Sequence, residues 1–371
     1  MILSRRHFFQ TSLAAAAAAA TLRPELRVFA EPRRAAPPGG PILLNSNENA
    51  YGAWPSLMKR MTDAIPLAHR YPDASADRLV DEIAAFHRVK REQVVVGCGS
   101  SEILRICAEI FTAPDVPLIA ATPTFESIAK HTRRLNREAK AVPLTADFAH
   151  DLERMADAAK GKPALFYLCN PNNPTASLTP RKAIEAFLGK LHPQSVVLID
   201  EAYHHFALGA PDYTSFIDRP VDDSRVVVAR TFSKVYGLAG MRVGYAIAAP
   251  ALAGKMASFA LPDNVNVVAA EVGVLALRDT DDLAMAIKRN AADRDAFVQQ
   301  AKQRRLKPIP SFGNFVMFDT SRPIAEVIEH FRQNNVSIGR PFPPLDTYAR
   351  ISLGKPAEMA AFWRVWDGMR A

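Results

Sequence analysis

The chain has 371 residues, 49% of them apolar and 23% charged, and no uninterrupted apolar run of 18 or more. This composition excludes a collagenous or wholly disordered chain and a multi-span membrane protein. Forty-six Lys and Arg against 38 Asp and Glu give a net charge of +8. Without residues 1–30 it falls to +5, with no dense basic block, so nucleic acid is not an expected partner. The run Lys130–Arg137 reads as one solvated helix face. Cys98, Cys107 and Cys169 are too few for a disulfide framework and match no zinc spacing, so no metal is expected. All three lie among apolar neighbours and are expected to be buried.

At the N-terminus, Arg5 and Arg6 precede Phe8 and a mild, alanine-rich apolar run from Leu13 to Leu22, too short to span a bilayer. Val28-Phe29-Ala30 offers a cleavage-like site. The order resembles a twin-arginine export signal, implying a periplasmic or exported protein with no stable membrane insertion once residues 1–30 are removed. Pro37-Pro38-Gly39-Gly40-Pro41 reads as a linker, and residues 31–65 as linker plus N-terminal arm.

Short β-branched runs then alternate with helical patterns. The strands are expected at Val94–Val96, Pro117–Ala121, Ala139–Pro143, Ala164–Cys169, Ser195–Asp200, Arg225–Arg230 and Val243–Ala248. The helices fall at Glu102–Phe111, Glu126–Leu135, Asp151–Ala159 and Arg181–Leu191. The strand runs are continuously apolar, as in a sheet covered on both faces. The fold class is therefore α/β: a large three-layer α/β/α domain over residues 66–255 with a mostly parallel seven-stranded sheet. A smaller α+β domain over residues 256–371 holds a helix at Asp281–Arg305, a strand at Asn314–Asp319, a helix at Ile324–Asn334 and a strand at Arg350–Leu353.

Ligands of such sheets sit at the carboxyl ends of the strands. The first strand runs into Gly97-Cys98-Gly99-Ser100-Ser101 and a helix, either an anion site at the helix N-terminus or a plain cap. The fourth runs into Asn170-Pro171-Asn172-Asn173-Pro174-Thr175, a stiff turn with spare amide donors. The fifth ends in Asp200-Glu201-Ala202-Tyr203, where four apolar residues precede a carboxylate that needs a cationic partner from elsewhere or from a ligand. The sixth is followed by Thr231, Ser233, Lys234 and Arg242 among glycines and apolar residues, a setting that lowers a lysine pKa beside a phosphate clamp. Pyridoxal phosphate, with its phosphate, ring nitrogen, ring oxygen and aldehyde, would use all four segments.

Asn-Pro-Asn-Asn-Pro-Thr, Asp-Glu-Ala-Tyr and Ser-Lys-x-x-Gly-Leu-Ala-Gly-x-Arg-x-Gly, in this order, resemble a fold-type I pyridoxal-phosphate aminotransferase, nearest the histidinol-phosphate aminotransferase branch, over about residues 41–371. The resemblance implies that Lys234 binds the cofactor covalently and later moves a proton. It implies that Asp200 pairs with the ring nitrogen, Asn173 and Tyr203 meet the ring oxygen, and Phe125 stacks on the ring. Gly99, Ser100, Ser101, Thr231, Ser233 and Arg242 would hold the phosphate, joined by Tyr71 of a neighbouring subunit in a homodimer whose interface includes Pro262–Asn266. Asn49 and Tyr51, in the loop Asn45–Gly52, would close over the substrate. Arg350 would grip the donor's α-carboxylate, or the phosphate of an amino-alcohol phosphate, with Arg340 as a second cation. The implied reaction passes an amino group to a 2-oxo acid. A pyridoxal-phosphate decarboxylase of the threonine-phosphate type and a non-catalytic binding protein are the other readings. Two places depart from the pattern. Ala176 stands where the family has glycine, which fits a backbone of negative φ, and Gly339–Arg350 is less typical of the branch.

Overall fold

The structure is a computed structural model that describes residues 40–220 and 222–369; the expected export signal over residues 1–30, with Arg5 and Arg6, lies outside them. Strand β1 (Ile42–Leu44) comes first, then helices α1 (Pro55–Ala64) and α2 (Asp73–His87). There follow β2 (Val94–Cys98), α3 (Ser100–Phe111), β3 (Leu118–Thr122), α4 (Ser127–Arg134), β4 (Ala139–Pro143), α5 (Leu152–Ala159), β5 (Leu165–Cys169), α6 (Arg181–Leu188), β6 (Val196–Asp200), β7 (Val226–Thr231) and β8 (Val243–Ala248). Strands β2 to β8 form one seven-stranded sheet in the order β2-β8-β7-β6-β5-β3-β4. Only β8 runs against its neighbours.

Strand β5 shows why this sequence makes a covered sheet. Successive side chains of a strand point to opposite faces. Leu165, Tyr167 and Cys169 pack on one face with Ile103 and Cys107 of α3. Phe166 and Leu168 pack on the other with Met155 of α5 and Phe187 of α6. With both faces buried, every position must be apolar, and the run reads LFYLC.

Beyond the sheet lie α7 (Pro250–Ala257), α8 (Val267–Arg278), α9 (Thr280–Gln303), β9 (Phe315–Asp319), α10 (Ile324–Gln333), β10 (Val336–Ile338), β11 (Tyr348–Ser352) and α11 (Pro356–Asp367). Strands β9 and β11 pair antiparallel, and their inward residues Val316, Phe318 and Ile351 join Phe297, Phe331, Phe362 and Trp363 in a separate core. Strand β1 pairs in parallel with β10, so the first described residues complete the C-terminal layer. Helix α8 packs on α1 and α2, and Glu271, 3% exposed, receives Arg60 and Arg78 there.

Two sequence expectations are corrected. Cys98 is exposed, because it is the last residue of edge strand β2; Cys107 and Cys169 are buried. The basic run is not one solvated face. Helix α4 stops at Arg134, and Arg137 turns inward, donating to the carbonyls of Ala108, Glu109 and Thr112 at the end of α3. Those carbonyls lack intrahelical partners, and a guanidinium supplies the missing donors.

Candidate active site

The carboxyl ends of β2, β3, β5, β6 and β7 lie along one edge of the sheet, and the reversed direction of β8 brings its first residues to the same edge. Helix α3 starts here without a side-chain cap: its N-cap is Gly99, at φ 71 and ψ 164. The first-turn N–H groups of Ser100 and Ser101 are therefore left for another acceptor. A Cβ on Gly99 would lie 2.3 Å from Nη2 of Arg242, and one on Gly244 2.4 Å from the backbone nitrogen of Ser100. Gly99 is thus needed for the Arg242 guanidinium to lie against the helix start, and Gly244 for β8 to pass close to the backbone of Gly99 and Ser100. Arg242 has φ 57 and donates through Nη1 to the Ala239 carbonyl at 3.1 Å. Thr231 and Ser233 are buried beside it, their hydroxyls 2.9 Å apart. A cation, two hydroxyls and free helical N–H groups make an anion cradle.

Asp200 ends β6 and is 2% exposed. No Lys or Arg among the described residues pairs with it. Its Oδ1 accepts from the Ala202 N–H at 3.1 Å and its Oδ2 from the Tyr167 hydroxyl at 2.9 Å. Burial pushes its pKa up to about 6, against the pull of those hydrogen bonds. Lys234, on the loop after β7, is half-buried, and its pKa is pushed down to about 8 by desolvation and then by the charge of Arg350. Its Nζ donates to the Asn47 carbonyl at 3.1 Å and lies 5.6 Å from the centre of the Tyr203 ring. The amine is thus weakly basic for a lysine and feels the charge of the Asp200 carboxylate.

The wall opposite the sheet comes from both ends of the chain. Asn47, at φ 54, donates from Nδ2 to the Tyr203 hydroxyl at 3.0 Å and from its backbone to Ser352 Oγ at 2.8 Å. Asn314 donates to the Asn47 and Glu48 carbonyls at 3.0 and 3.1 Å. Arg350 is carried in by β11, 7% exposed, and donates to Asn173 Oδ1 at 2.7 Å and to the Asn45 carbonyl at 2.6 Å. Its Nε has no partner, and burial lowers its pKa to about 10, helped by the charge of Arg340. Both guanidinium groups stack on Phe342, at 4.7 and 4.4 Å.

Lys234, Asp200, Tyr203, Asn173 and Arg350 are thus brought into one cleft beside the cradle of Gly99, Ser100, Thr231, Ser233 and Arg242. Phe125 is 36% exposed on the loop after β3, which is tied down by hydrogen bonds from Thr124 to Asn172 and from Asn172 to the Pro123 carbonyl. Asn49 donates to the Val235 carbonyl at 2.9 Å. Tyr51 points the other way, its hydroxyl 3.1 Å from Asp293 and its ring 4.5 Å from the Arg289 guanidinium, beside a cavity of about 330 Å³. Arg340 is half-exposed and pairs with Glu126 at 3.0 Å. Tyr71 is 80% exposed and is not brought to this chain's own cleft.

Ala176 has φ 58, so the expectation of negative φ there is corrected. The left-handed backbone is held from both sides: the Ala176 N–H donates to the Asn172 carbonyl, and its own carbonyl accepts from the Phe312 N–H, both at 2.8 Å. Tyr167 and Asn314 carry no sequence signal of a role in the site, and the Asn172 amide is spent within the loop, on Pro123 and Thr175. Tyr167 looked like one more apolar strand residue. Asn314 stands at the first position of the expected strand 314–319, and the structure starts that strand one residue later, at Phe315. Asn47 lies in the loop Asn45–Gly52, and the recurrence of asparagine in Asn-Ser-Asn-Glu-Asn is the sequence signal that points to it.

The donor set fits pyridoxal phosphate on its own terms. A buried carboxylate without a counter-cation awaits a protonated ring nitrogen. Gly99 lets the Arg242 guanidinium lie against the uncapped start of α3, where cation and helix dipole both favour an anion, and a weakly basic lysine lies in the same cleft. The sequence profile of aminotransferase class I and II matches residues 40–364. The chain is 33% identical to a histidinol-phosphate aminotransferase of Moorella thermoacetica over 325 residues, covering 87% of this chain and 84% of that one. It is 37% identical to histidinol-phosphate aminotransferase 2 of Ralstonia nicotianae, covering 86% of each. Its structure matches that of histidinol-phosphate aminotransferase from Sinorhizobium meliloti in complex with pyridoxal-5'-phosphate, with a TM-score of 0.83, 25% identity, and 89% and 92% of the two chains covered. Cleft, cradle and kinship agree: the chain belongs to aminotransferase class I and II and is a pyridoxal-phosphate-dependent transaminase of the fold-type I architecture.

Proposed function

We propose that the amino donor of this enzyme carries its anionic group to Arg350, and that it is an amino-alcohol phosphate such as histidinol phosphate or a carboxylated amino acid. One observation carries this reading: a guanidinium, buried among Asn173, Asn45 and Phe342 and with Nε unpaired, acts electrostatically on the Lys234 amine across the cleft. A fixed cation at that depth orients an anion, and a planar fork does so better than an ammonium.

Pyridoxal phosphate, when bound, supplies a conjugated ring that takes up the electron pair released at the donor carbon. The chain does the rest. Asp200 would keep a proton on the ring nitrogen, and Arg242, Thr231, Ser233 and the start of α3 would hold the phosphate. Lys234, as a free amine, would take a proton at Nζ from the donor carbon and return it elsewhere. A pKa near 8 suits that exchange near neutral pH. Asn47 and Asn314, both buried, close the wall. The sheet part over residues 66–255 would bind the cofactor, and the part over residues 256–371 would carry Arg350.

A homodimer is part of the proposal, supported by the exposure of Ile65, Leu67, Tyr71, Phe259 and Leu261. So is export, supported by the Arg5-Arg6 leader. No helix of the described residues is long and apolar enough to cross a membrane. The decisive experiment screens donors against the purified holoenzyme in single half-reactions, following the cofactor's visible absorbance and assaying keto product against carbon dioxide. Histidinol phosphate or a carboxylated donor should bleach the absorbance without releasing carbon dioxide, and Arg350→Lys should raise KM by at least about tenfold, the equivalent of 1.4 kcal/mol. Carbon dioxide release, or an unchanged kcat/KM in Arg350→Lys for every donor, would overturn the reading.

A further inference from the structure

The two hydrogen-bond donors that hold Asp200 are both uncharged, and one of them is a side chain that packing alone does not require. Tyr167 stands on β5, where Cys169 is the register partner of Asp200. Its ring is wholly buried, and its hydroxyl reaches the diagonal neighbour on β6, donating to Asp200 Oδ2 at 2.9 Å. Phenylalanine would fill the same space among Leu165, Leu198 and Ile103. The hydroxyl is the part that packing does not explain.

We propose that Tyr167 is a positioning residue for the cofactor ring: its hydroxyl fixes the orientation of the Asp200 carboxylate and keeps that carboxylate ionised in a buried site. The inference rests on the reading that Asp200 faces the ring nitrogen. The groups around Asp200 are few. Lys234 faces it from the loop after β7, Cys169 and Tyr167 from β5, and Glu201 and Tyr203 from its own segment. Lys234 favours the charged carboxylate and Glu201 opposes it. Cys169 and Tyr203 are driven by burial toward their neutral forms. Burial likewise pushes the Tyr167 phenol far up, so it remains a donor through the working pH range. With the Ala202 N–H on Oδ1 and the Tyr167 hydroxyl on Oδ2, each oxygen keeps a lone pair free. A carboxylate so pinned offers a defined acceptor to a ring proton.

The test uses full-length protein freed of cofactor and measures the affinity for pyridoxal phosphate across about pH 5 to 9, where the carboxylate changes charge. In Tyr167→Phe the acid-side midpoint of binding should rise by about one pH unit, because loss of a donor to the charged form raises a carboxylate pKa. Alkaline affinity should stay within about threefold of wild type, less than 0.7 kcal/mol. Replacing Tyr167 by 3-fluorotyrosine keeps shape and hydroxyl but makes a stronger donor, and should move the midpoint downward; it serves even where the phenylalanine variant does not fold. Opposite shifts in the two variants establish the role. An unmoved midpoint in the fluorinated protein, or an equal loss of affinity at every pH in Tyr167→Phe, overturns it. Failure of the wild-type chain to bind pyridoxal phosphate would instead overturn the reading of the cleft itself.

Discussion

At the scale of single residues, the cleft holds two groups whose charge is disfavoured where they stand. Asp200 titrates near 6 instead of 3.8, and Lys234 near 8 instead of 10.5, burial being the first cause of each. For Asp200 the folded pKa is the higher one, so folding binds a proton more tightly than the unfolded chain does. Its favourable contribution is complete below the unfolded pKa and is lost as pH rises through about 6. In cofactor-free protein, Asp200→Asn should therefore stabilise the fold above pH 6 by up to about 3 kcal/mol, the size of the shift in energy. The gain should vanish toward pH 4, which paired thermal melts at the two pH values would show. The same variant should lose transamination by roughly 100-fold or more, the consequence of removing one partner from a buried charge pair worth about 3–5 kcal/mol. A destabilised variant with normal turnover would contradict both expectations. The site trades stability for a carboxylate that only a bound cation satisfies.

Elements place these residues, and two contacts between elements are exposed to direct trial. Gly99 sits at φ 71 and ψ 164, a region open to glycine alone, with Arg242 packed where a side chain would project. Gly99→Ala should cost about 1–3 kcal/mol of backbone strain and displace the guanidinium, weakening cofactor binding at least about tenfold in equilibrium dialysis. Behind Asp200, strands β6 and β7 are joined by a buried pair: Arg230 Nε donates to Glu201 Oε2 at 2.9 Å, and Ser215 bonds to both residues. Arg230→Met leaves Glu201 buried and unpaired and should destabilise by about 3–5 kcal/mol in urea unfolding. Arg230→Met with Glu201→Leu should recover much of that loss. These strands were the legible part of the sequence. Short, mostly apolar runs placed all seven strands of the large sheet to within two residues at either end, since a strand covered on both faces must be apolar at successive positions. Helix α8, VVAAEVGVLALR, is nearly as apolar as a strand and shows no clear polar face, so periodicity could not find it. Strands β1 and β10 have three residues each, too short for any pattern. The anion cradle and Lys234 were readable because glycine, hydroxyl and cation recur at fixed offsets. The Tyr167 and Asn47 contacts depend on which strands become neighbours, and sequence spacing does not carry that.

For the whole molecule, the exposed Tyr71, beside Ile65 and Leu67, and the exposed Phe259 and Leu261 near Pro262–Asn266 argue for a second copy of the chain. Sedimentation equilibrium at assay concentration should give twice the mass of the chain. Tyr71→Ala should release the cofactor faster without altering the melting of the stripped protein; a fully active monomer would refute the arrangement. The pairing of β1 with β10 reaches further. Of the described residues, strand β1 leaves the ribosome among the first and β10 among the last. Between them the seven strands of the large sheet can already assemble. Yet Asn47, whose carbonyl receives Lys234, is anchored by Asn314 and Ser352, which are synthesised late. The nascent chain thus owns a sheet well before it owns a cleft, and capture of the cofactor waits until its two ends have met.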